Sequence, residues 1–396
     1  MRGRALKVFF VVGEESGDLL GAGLLSALRE RLGGAVEATG IAGTRMQRLG
    51  MTSLFPLHDI AVMGLTAVLA RLPTIVARVH QTVAAAVAAD PDVVVVIDSP
   101  DFTHAVAKRL RKRRPDIPIV DYVSPSVWAW RPGRARKMAA YVDHLLAILP
   151  FEPAVHRRLG GPPCTYVGHP LLERIAEASQ GPRDAPDEPP TLLVLPGSRR
   201  SETSRMLGPL GATLAALAAA GHRFRAVLPT VPHLEAEVRA AVAGWPVRPE
   251  VIVGEGEKFA AFSKATAALA ASGTVTLELA LSGVPMVVGY RLDWFYRRLK
   301  DLARRIPGIA LVDTMVLTNL ILEEKVVPEF LDEEVAPDHL LPVLAPLLDR
   351  DSPEHRRQTD AFRRLRGIMA LPGGDSPGDI AARVVVEVAR QGRAAG

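Results

Sequence analysis

Val93-Val94-Val95-Val96-Ile97 runs without a break into Asp98-Ser99-Pro100-Asp101-Phe102. Consecutive β-branched residues with no alternating polar partner describe a strand covered on both faces. Strands of that kind belong to parallel sheets packed between helices. A carboxylate at the end of so apolar a strand is costly unless it is paired or used in chemistry, and Asp98 and Asp101 lie within four positions of each other. Either could cap a helix running from Phe102, or act as a general base tuned by partial burial. No His or carboxylate cluster accompanies them, so no metal is expected.

The same alternation extends in both directions. Leu6–Val12 reads as a buried strand, followed by a turn over 13–18 and a helix over 19–31. Further strands are expected at 117–123, 144–149 and 164–167. The Pro-rich, aperiodic stretch EASQGPRDAPDEPP, 177–190, interrupts the pattern as a linker. Beyond it the expected strands are Thr191–Leu195, 224–228, Glu250–Val253, Ala267–Ala271 and 285–290, with helices at 202–220 and Thr274–Ser282 and a charged helical tail from Pro337. No internal repeat is visible. The expected organisation is an α/β domain over 1–175, a linker at 176–190, a second α/β domain over 191–345, and a helical segment 346–396 returning to the first domain. Ligands of open parallel sheets sit at the carboxyl ends of strands, which points to a site in a cleft between the halves.

Composition narrows the function classes. A chain of 396 residues suggests two or three domains, and 48% hydrophobic with 23% charged residues excludes long disorder. A single cysteine, Cys164, excludes an internal disulfide and Cys-based metal sites and suits a reducing cytoplasm. The longest uncharged stretch, 206–221, falls short of the ~18–20 apolar residues of a membrane span, and the first apolar run is too short for a signal peptide. A net charge of +5 and a pI near 9.5 favour polyanionic partners. Basic residues cluster at 108–114, 131–137 and 297–305, without the interleaved aromatics of an RNA-binding surface. These clusters read either as solvated faces or as contacts for anionic groups.

Other strand ends carry suggestive loops. In Gly13-Glu14-Glu15-Ser16-Gly17-Asp18, Ser16 or Asp18 could cap the following helix, and Glu14 could face the site. Pro196-Gly197-Ser198-Arg199-Arg200 offers a glycine turn, a hydroxyl and a guanidinium beside a helix start, the means of holding phosphate without a P-loop. Ser272-Gly273-Thr274 opens a helix whose free N–H groups suit a diphosphate. Glu278, one turn in, reads as a ribose acceptor or as a solvated acid. Trp128 and Trp130 could line an apolar or sugar-binding wall or pack in the core. The apolar stretch 55–79 could be a buried helix or a surface for acyl chains, exposing Ile60, Val62, Met63, Leu65, Val68, Leu69 and Leu72.

Taken in order, Gly13-Glu14-Glu15-Ser16-Gly17-Asp18, Gly40-Ile41-Ala42-Gly43 with Arg45-Met46-Gln47, Ala61-Val62-Met63-Gly64, Ile97-Asp98-Ser99-Pro100-Asp101-Phe102, Tyr122-Val123-Ser124-Pro125-Ser126-Val127-Trp128-Ala129-Trp130-Arg131, Leu195-Pro196-Gly197-Ser198-Arg199, Ala271-Ser272-Gly273-Thr274 and Pro285-Met286-Val287-Val288-Gly289-Tyr290 span nearly the whole chain. Together they resemble the lipid-A-disaccharide synthases, glycosyltransferases of GT-B architecture. The resemblance implies two Rossmann-like doubly wound domains facing a central cleft. It implies transfer of 2,3-diacylglucosamine from its UDP derivative to 2,3-diacylglucosamine 1-phosphate, with inversion, a β-1,6 linkage and release of UDP. No metal or cofactor is implied, nor any nucleic acid. The implied setting is the cytoplasmic face of the inner membrane, as a peripheral protein on an anionic surface.

By position, Asp101 matches the family's essential acidic residue, with Asp98 and Glu14 beside it as catalytic candidates. The implied UDP-binding set is Gly197, Ser198, Arg199, Ser272, Gly273, Thr274, Glu278 and Asn319. Glu15 stands where a small residue is common, Arg200 where glycine is usual, and 294–313 diverges from the pattern. Another UDP-sugar enzyme on this scaffold, such as an epimerase or a soluble N-acetylglucosaminyltransferase, would share the diphosphate loops without needing the apolar stretch. A non-catalytic nucleotide or lipid carrier would have no use for Asp98 and Asp101.

Overall fold

A computed structural model describes residues 4–60, 65–178, 188–292 and 314–394. The chain divides into two compact units, Met1–Pro170 with Leu371–Gly396, and Leu171–Ala370. Most of the stretch 177–190 and all of 294–313, including the basic residues at 297–305, lie outside the described residues.

The first unit is built on six parallel strands: β1 (Leu6–Val12), β2 (Val36–Ile41), β3 (Val93–Ile97), β4 (Ile119–Tyr122), β5 (His144–Ala147) and β6 (Cys164–Tyr166). Their spatial order is β2-β1-β3-β4-β5-β6. All five residues of β3 are fully buried, as an apolar run without alternation requires. Val8 of β1 pairs with Val93 and Val12 with Ile97, so both strands end level. The helices are α1 (Glu15–Arg31), α2 (Thr44–Arg48), α3 (Leu65–Ala89), α4 (Pro100–Arg113), α5 (Gly133–Met138) and α6 (Glu152–Leu159).

The second unit contains α7 (Leu171–Ala178), β7 (Thr191–Leu195), α8 (Arg200–Ala219), β8 (Arg225–Thr230), α9 (Glu235–Val242), β9 (Glu250–Val253), α10 (Glu255–Lys264), β10 (Ala267–Ala271), α11 (Thr274–Ser282) and β11 (Met286–Tyr290). It continues through α12 (Leu317–Leu322), β12 (Glu329–Leu331), α13 (Pro337–Leu344) and α14 (Pro353–Met369). Its six strands are again parallel, ordered β12-β11-β10-β7-β8-β9. Gln358 of α14 ties itself to β11 by donating to the Met286 carbonyl (3.0 Å) and accepting from the Met286 N–H (2.8 Å).

The last helix, α15 (Pro377–Ala394), belongs to the first unit. It packs on α1 so closely that a Cβ on Gly378 would stand 2.9 Å from the Gly23 carbonyl. Ile380, Val385 and Ala389 join that unit's core.

Two strands escape the sequence reading, β2 and β12, and each is an outermost strand. In β2 (VEATGI) the first four residues stay partly or fully exposed, so no apolar run advertises it. β12 has three residues, too few for a periodicity. The helix expected from residue 19 begins at Glu15, because the turn needs only Gly13 and Glu14.

Candidate active site

In each sheet the strand order reverses once, and loops that leave neighbouring strands there in opposite directions open a crevice at their carboxyl ends. In the first unit the reversal lies between β1 and β3. The loops that follow those strands carry Glu14 and the Asp98, Asp101 pair. They touch: a Cβ on Gly13 would meet that of Ser99 at 2.3 Å, so only glycine permits the approach. Ser16 Oγ donates to Asp98 Oδ2 at 2.5 Å, while Asp98 Oδ1 accepts from the Ser99 N–H at 2.7 Å.

Asp98 and Ser99 have φ of 59° and 45°, in the left-handed region that costs a side-chain-bearing residue energy. Thr103 Oγ1, donating to the Asp98 carbonyl at 2.8 Å, helps to hold that turn. Neither aspartate caps α4, whose N-cap position is Ser99 without a side-chain bond. Asp101 lies in the first turn of α4 with its side chain 93% exposed, and its Oδ1 accepts from Arg134 Nη2 at 2.9 Å. Glu14 occupies the N-cap position of α1.

Asp18 corrects the capping expectation. It is buried and caps α2 rather than its own helix, accepting from the N–H groups of Gly43 (2.8 Å), Arg45 (2.7 Å) and Met46 (3.2 Å). Ser16, bound to Asp98, caps no helix either.

Behind these loops lies a buried polar layer that sequence reasoning missed. His104, one turn along α4 from Asp101, places Nε2 2.9 Å from Asp121 Oδ2 of β4 and Nδ1 3.2 Å from the Tyr141 hydroxyl. Burial, reinforced by the negative charge of Asp121, pushes the Tyr141 phenol up to about 12. Beyond β4, Ser124 Oγ stands 2.7 Å from His156 Nε2. Glu152 accepts from the Leu149 N–H at 3.0 Å, and burial pushes its carboxyl up to about 8. Burial also lowers His156 and raises the Cys164 thiol. The one signal of this layer in the sequence is a charged residue, Asp121, inside an apolar strand.

The loop after β4 bridges this layer and the surface. Trp128 packs edge-on against Phe151, whereas Trp130 is exposed under the Arg131 guanidinium, 4.2 Å from the ring centroid. Core packing thus holds for Trp128 and not for Trp130. Val123 and Arg131, flanking the loop, have φ of 84° and 54°.

In the second unit the reversal lies between β7 and β10, which pair directly. The loops that follow are the glycine turns chosen from sequence. Gly197 has φ of 110°, and a Cβ there would press on Glu202. Arg199 takes the N-cap position of α8 and pairs with Glu202 at 2.8 Å, its own side chain 61% exposed. Ser198 is exposed beside it. Gly273 is the N-cap of α11, and Gly273 and Thr274 present that helix start to solvent next to the half-buried Ser272. Glu278 is not a solvated acid: it is buried and its Oε2 accepts from Lys258 Nζ at 2.7 Å. Lys258, which sequence reasoning did not single out, also lies 4.6 Å from the centroid of Phe259.

The family described as lipid-A-disaccharide synthetase matches residues 8–368. A lipid-A-disaccharide synthase of Nitrobacter winogradskyi is 53% identical over 98% of this chain and 97% of its own. The Bradyrhizobium diazoefficiens enzyme of the same name is 50% identical over the same shares, 98% and 97%. The chain belongs to the lipid-A-disaccharide synthase family.

It is therefore a glycosyltransferase of lipid A disaccharide synthesis. Solved structures that share its GT-B fold include Acinetobacter baumannii MurG, with TM-score 0.58 and 12% identity over 96% of this chain and 99% of that one. The Neisseria meningitidis UDP-GlcNAc 2-epimerase bound to UDP-GlcNAc gives a TM-score of 0.59 at 13% identity, covering 98% of this chain and all (100%) of its own.

Within this synthase, Asn319 sits away from the glycine turns in sequence and is buried as a backbone clamp. Its Nδ2 donates to the Val327 carbonyl at 2.9 Å, and its Oδ1 accepts from the N–H groups of Val326 (3.0 Å) and Val327 (2.9 Å). Of the apolar surface residues, Ile60 is buried and Leu72 is 47% exposed. Val62 and Met63 lie outside the described residues, as do the side chains of Leu65, Val68 and Leu69. The segment Arg71–Ala89 of α3 is long and apolar enough to cross a membrane by length and composition, with 22% of its apolar window buried. Counting uncharged runs alone hides it, because it starts at Arg71 and Arg78 interrupts it. Arg78 is neutralised by Asp59 at 2.5 Å and covers Phe55. Among the described residues, no group of three or more His, Cys, Asp or Glu side chains is arranged to hold a metal ion.

Proposed function

We propose that the synthase transfers 2,3-diacylglucosamine from its UDP derivative to the 6-hydroxyl of 2,3-diacylglucosamine 1-phosphate, inverting the anomeric centre to give a β-1,6 linkage. The observation supporting this reading is the coincidence, in each sheet, of the strand-order reversal with the loops chosen from sequence. Asp101 takes the proton of the attacking hydroxyl as general base, and Asp98, fixed by Ser16 and Ser99, orients the loop. The departing UDP gains negative charge, which Arg199 and the N–H groups at 273–274 stabilise without a metal. Glu278, turned by Lys258, accepts from the ribose hydroxyls. Acyl chains lie on the apolar surface of α3, each buried methylene contributing ~0.8 kcal/mol. The basic residues of the first unit draw the protein to the anionic cytoplasmic face of the inner membrane as a peripheral protein.

Product analysis tests the reading. With an acylated UDP-glucosamine donor and the acylated 1-phosphate acceptor, one UDP should appear for each disaccharide 1-phosphate, with a β proton coupling at the new linkage. A deacylated donor should react far more slowly. A monosaccharide product epimerised at carbon 2, with no acceptor consumed, would replace this reading by the epimerase one.

A further inference from the structure

We infer that Arg134 is the binding residue for the acceptor's phosphate, and that its bond to Asp101 is the resting arrangement which that phosphate displaces. The inference rests on the proposed reaction and adds the means by which the acceptor is recognised.

The pair is unusual in its asymmetry. Asp101 is 93% exposed and Arg134 is 24% exposed, so the guanidinium reaches the carboxylate from a largely covered base. That base is well defined. The Arg134 N–H donates to the Arg131 carbonyl at 2.9 Å, and the Arg134 charge is close enough to the Tyr141 phenol to oppose its rise. Tyr141 is in turn tied through His104 to Asp121. The strained φ values of Val123 and Arg131 bracket the loop that delivers Arg134, and those of Asp98 and Ser99 precede the turn that delivers Asp101. Strain of this kind persists where surrounding structure over-determines a geometry, and it gathers at ligand sites. A second cation, Arg131, is held over Trp130 in the same loop.

The chemistry of the acceptor fits this neighbourhood. In a hexosamine 1-phosphate, carbons 1 and 5 both bond the ring oxygen, so the phosphate and the 6-hydroxyl share one edge of the sugar. An arginine and an aspartate in contact present the complementary edge. A guanidinium forms two parallel bonds to phosphate, against the single bond that joins Arg134 to Asp101. The exchange is therefore favourable, and it frees Asp101 Oδ1, whose lone pair the arginine occupies at rest, to accept the hydroxyl proton. An acceptor without phosphate leaves the base engaged. Recognition of the phosphate and release of Asp101 Oδ1 from Arg134 become one event.

The test compares kcat/KM for 2,3-diacylglucosamine 1-phosphate and for the same sugar without phosphate, in detergent micelles, using wild type, Arg134→Ala, Arg134→Lys and Asp101→Asn. Wild type should prefer the phosphorylated acceptor by about 10–100-fold, the range of a charge-assisted pair. Arg134→Ala should lose most of that preference, slowing the phosphorylated acceptor and, with Asp101 Oδ1 no longer engaged at rest, speeding the other, and Arg134→Lys should restore part of it. UDP binding and thermal melting serve as controls for folding. A wild-type preference retained in Arg134→Ala overturns the inference. Normal turnover in Asp101→Asn would instead remove the general base while leaving the phosphate preference to be read in Arg134→Ala, so the two failures are distinct.

Discussion

The two sheets of this synthase reverse their strand order at equivalent places and dress those places with opposite chemistry. Between β1 and β3 the loops carry carboxylates, left-handed side-chain-bearing residues and a buried polar layer behind them. Between β7 and β10 they carry glycine turns, a helix N-terminus and an exposed arginine, with apolar alanines in the strand beneath. On the proposed mechanism, one architecture thus supplies a proton acceptor in one unit and an anion cradle in the other. The lesson is that the fold fixes where a site can be, and the loop residues fix what charge it will tolerate.

The largest expected effect tests that division directly. Asp101→Asn should lower kcat by about 10²–10⁴-fold and leave UDP affinity within experimental error, as removal of a general base does. If calorimetric titration showed UDP binding falling in step with turnover, the division of labour would be broken. Arg199→Ala should cost about 10²–10³ in kcat and weaken UDP binding as well, since it removes charge stabilisation from both ground and transition states. Intact UDP affinity in that variant would move the anion cradle away from α8.

A third prediction concerns the buried polar layer of the first unit. Glu152 holds its proton to about pH 8 in the fold, against 4.5 for the ordinary group, because burial penalises the charged form. Between those values the unfolded chain has released the proton and the folded one has not, so stability falls as pH rises from 4.5 to 8 and levels off above. Glu152→Gln should flatten that decline, raising Tm at pH 8 by an amount equivalent to a few kcal/mol. Melting curves of the two proteins that stay parallel across this window would refute the assignment.

The smallest effect sharpens the contrast at α3, where the acyl chains are proposed to lie. Leu72→Glu with Val76→Glu, at two exposed apolar positions of α3, should reduce sedimentation with anionic vesicles severalfold without altering UDP binding. Raised salt should weaken binding of the wild type too, by screening its basic residues. Vesicle binding indifferent to both changes would separate α3 from the membrane.

The fold was legible wherever burial is complete. β1, β3, β7 and β10 run over the spans expected from their apolar residues, and α11 starts and stops at its glycines. A strand covered on both faces has no freedom to carry polar residues, so its sequence declares it. The outermost strands β2 and β12, half solvated or very short, make no such declaration.

The site divides along a similar line. Residues whose backbone geometry is special, such as Gly13 and Gly197, could be picked from sequence because few alternatives fit a turn or a close approach. Pairings between distant positions could not. That Asp18 caps α2, that Lys258 meets Glu278 and that Arg134 reaches Asp101 are facts of folded space, joining residues 20 or more positions apart. Local sequence determined the strands, the turns and the kind of charge each loop would carry, because those depend on side-chain burial and backbone freedom within a few residues. Only the tertiary structure decided which charges meet, because the topology of the parallel sheets brings neighbouring strand ends together regardless of their separation along the chain.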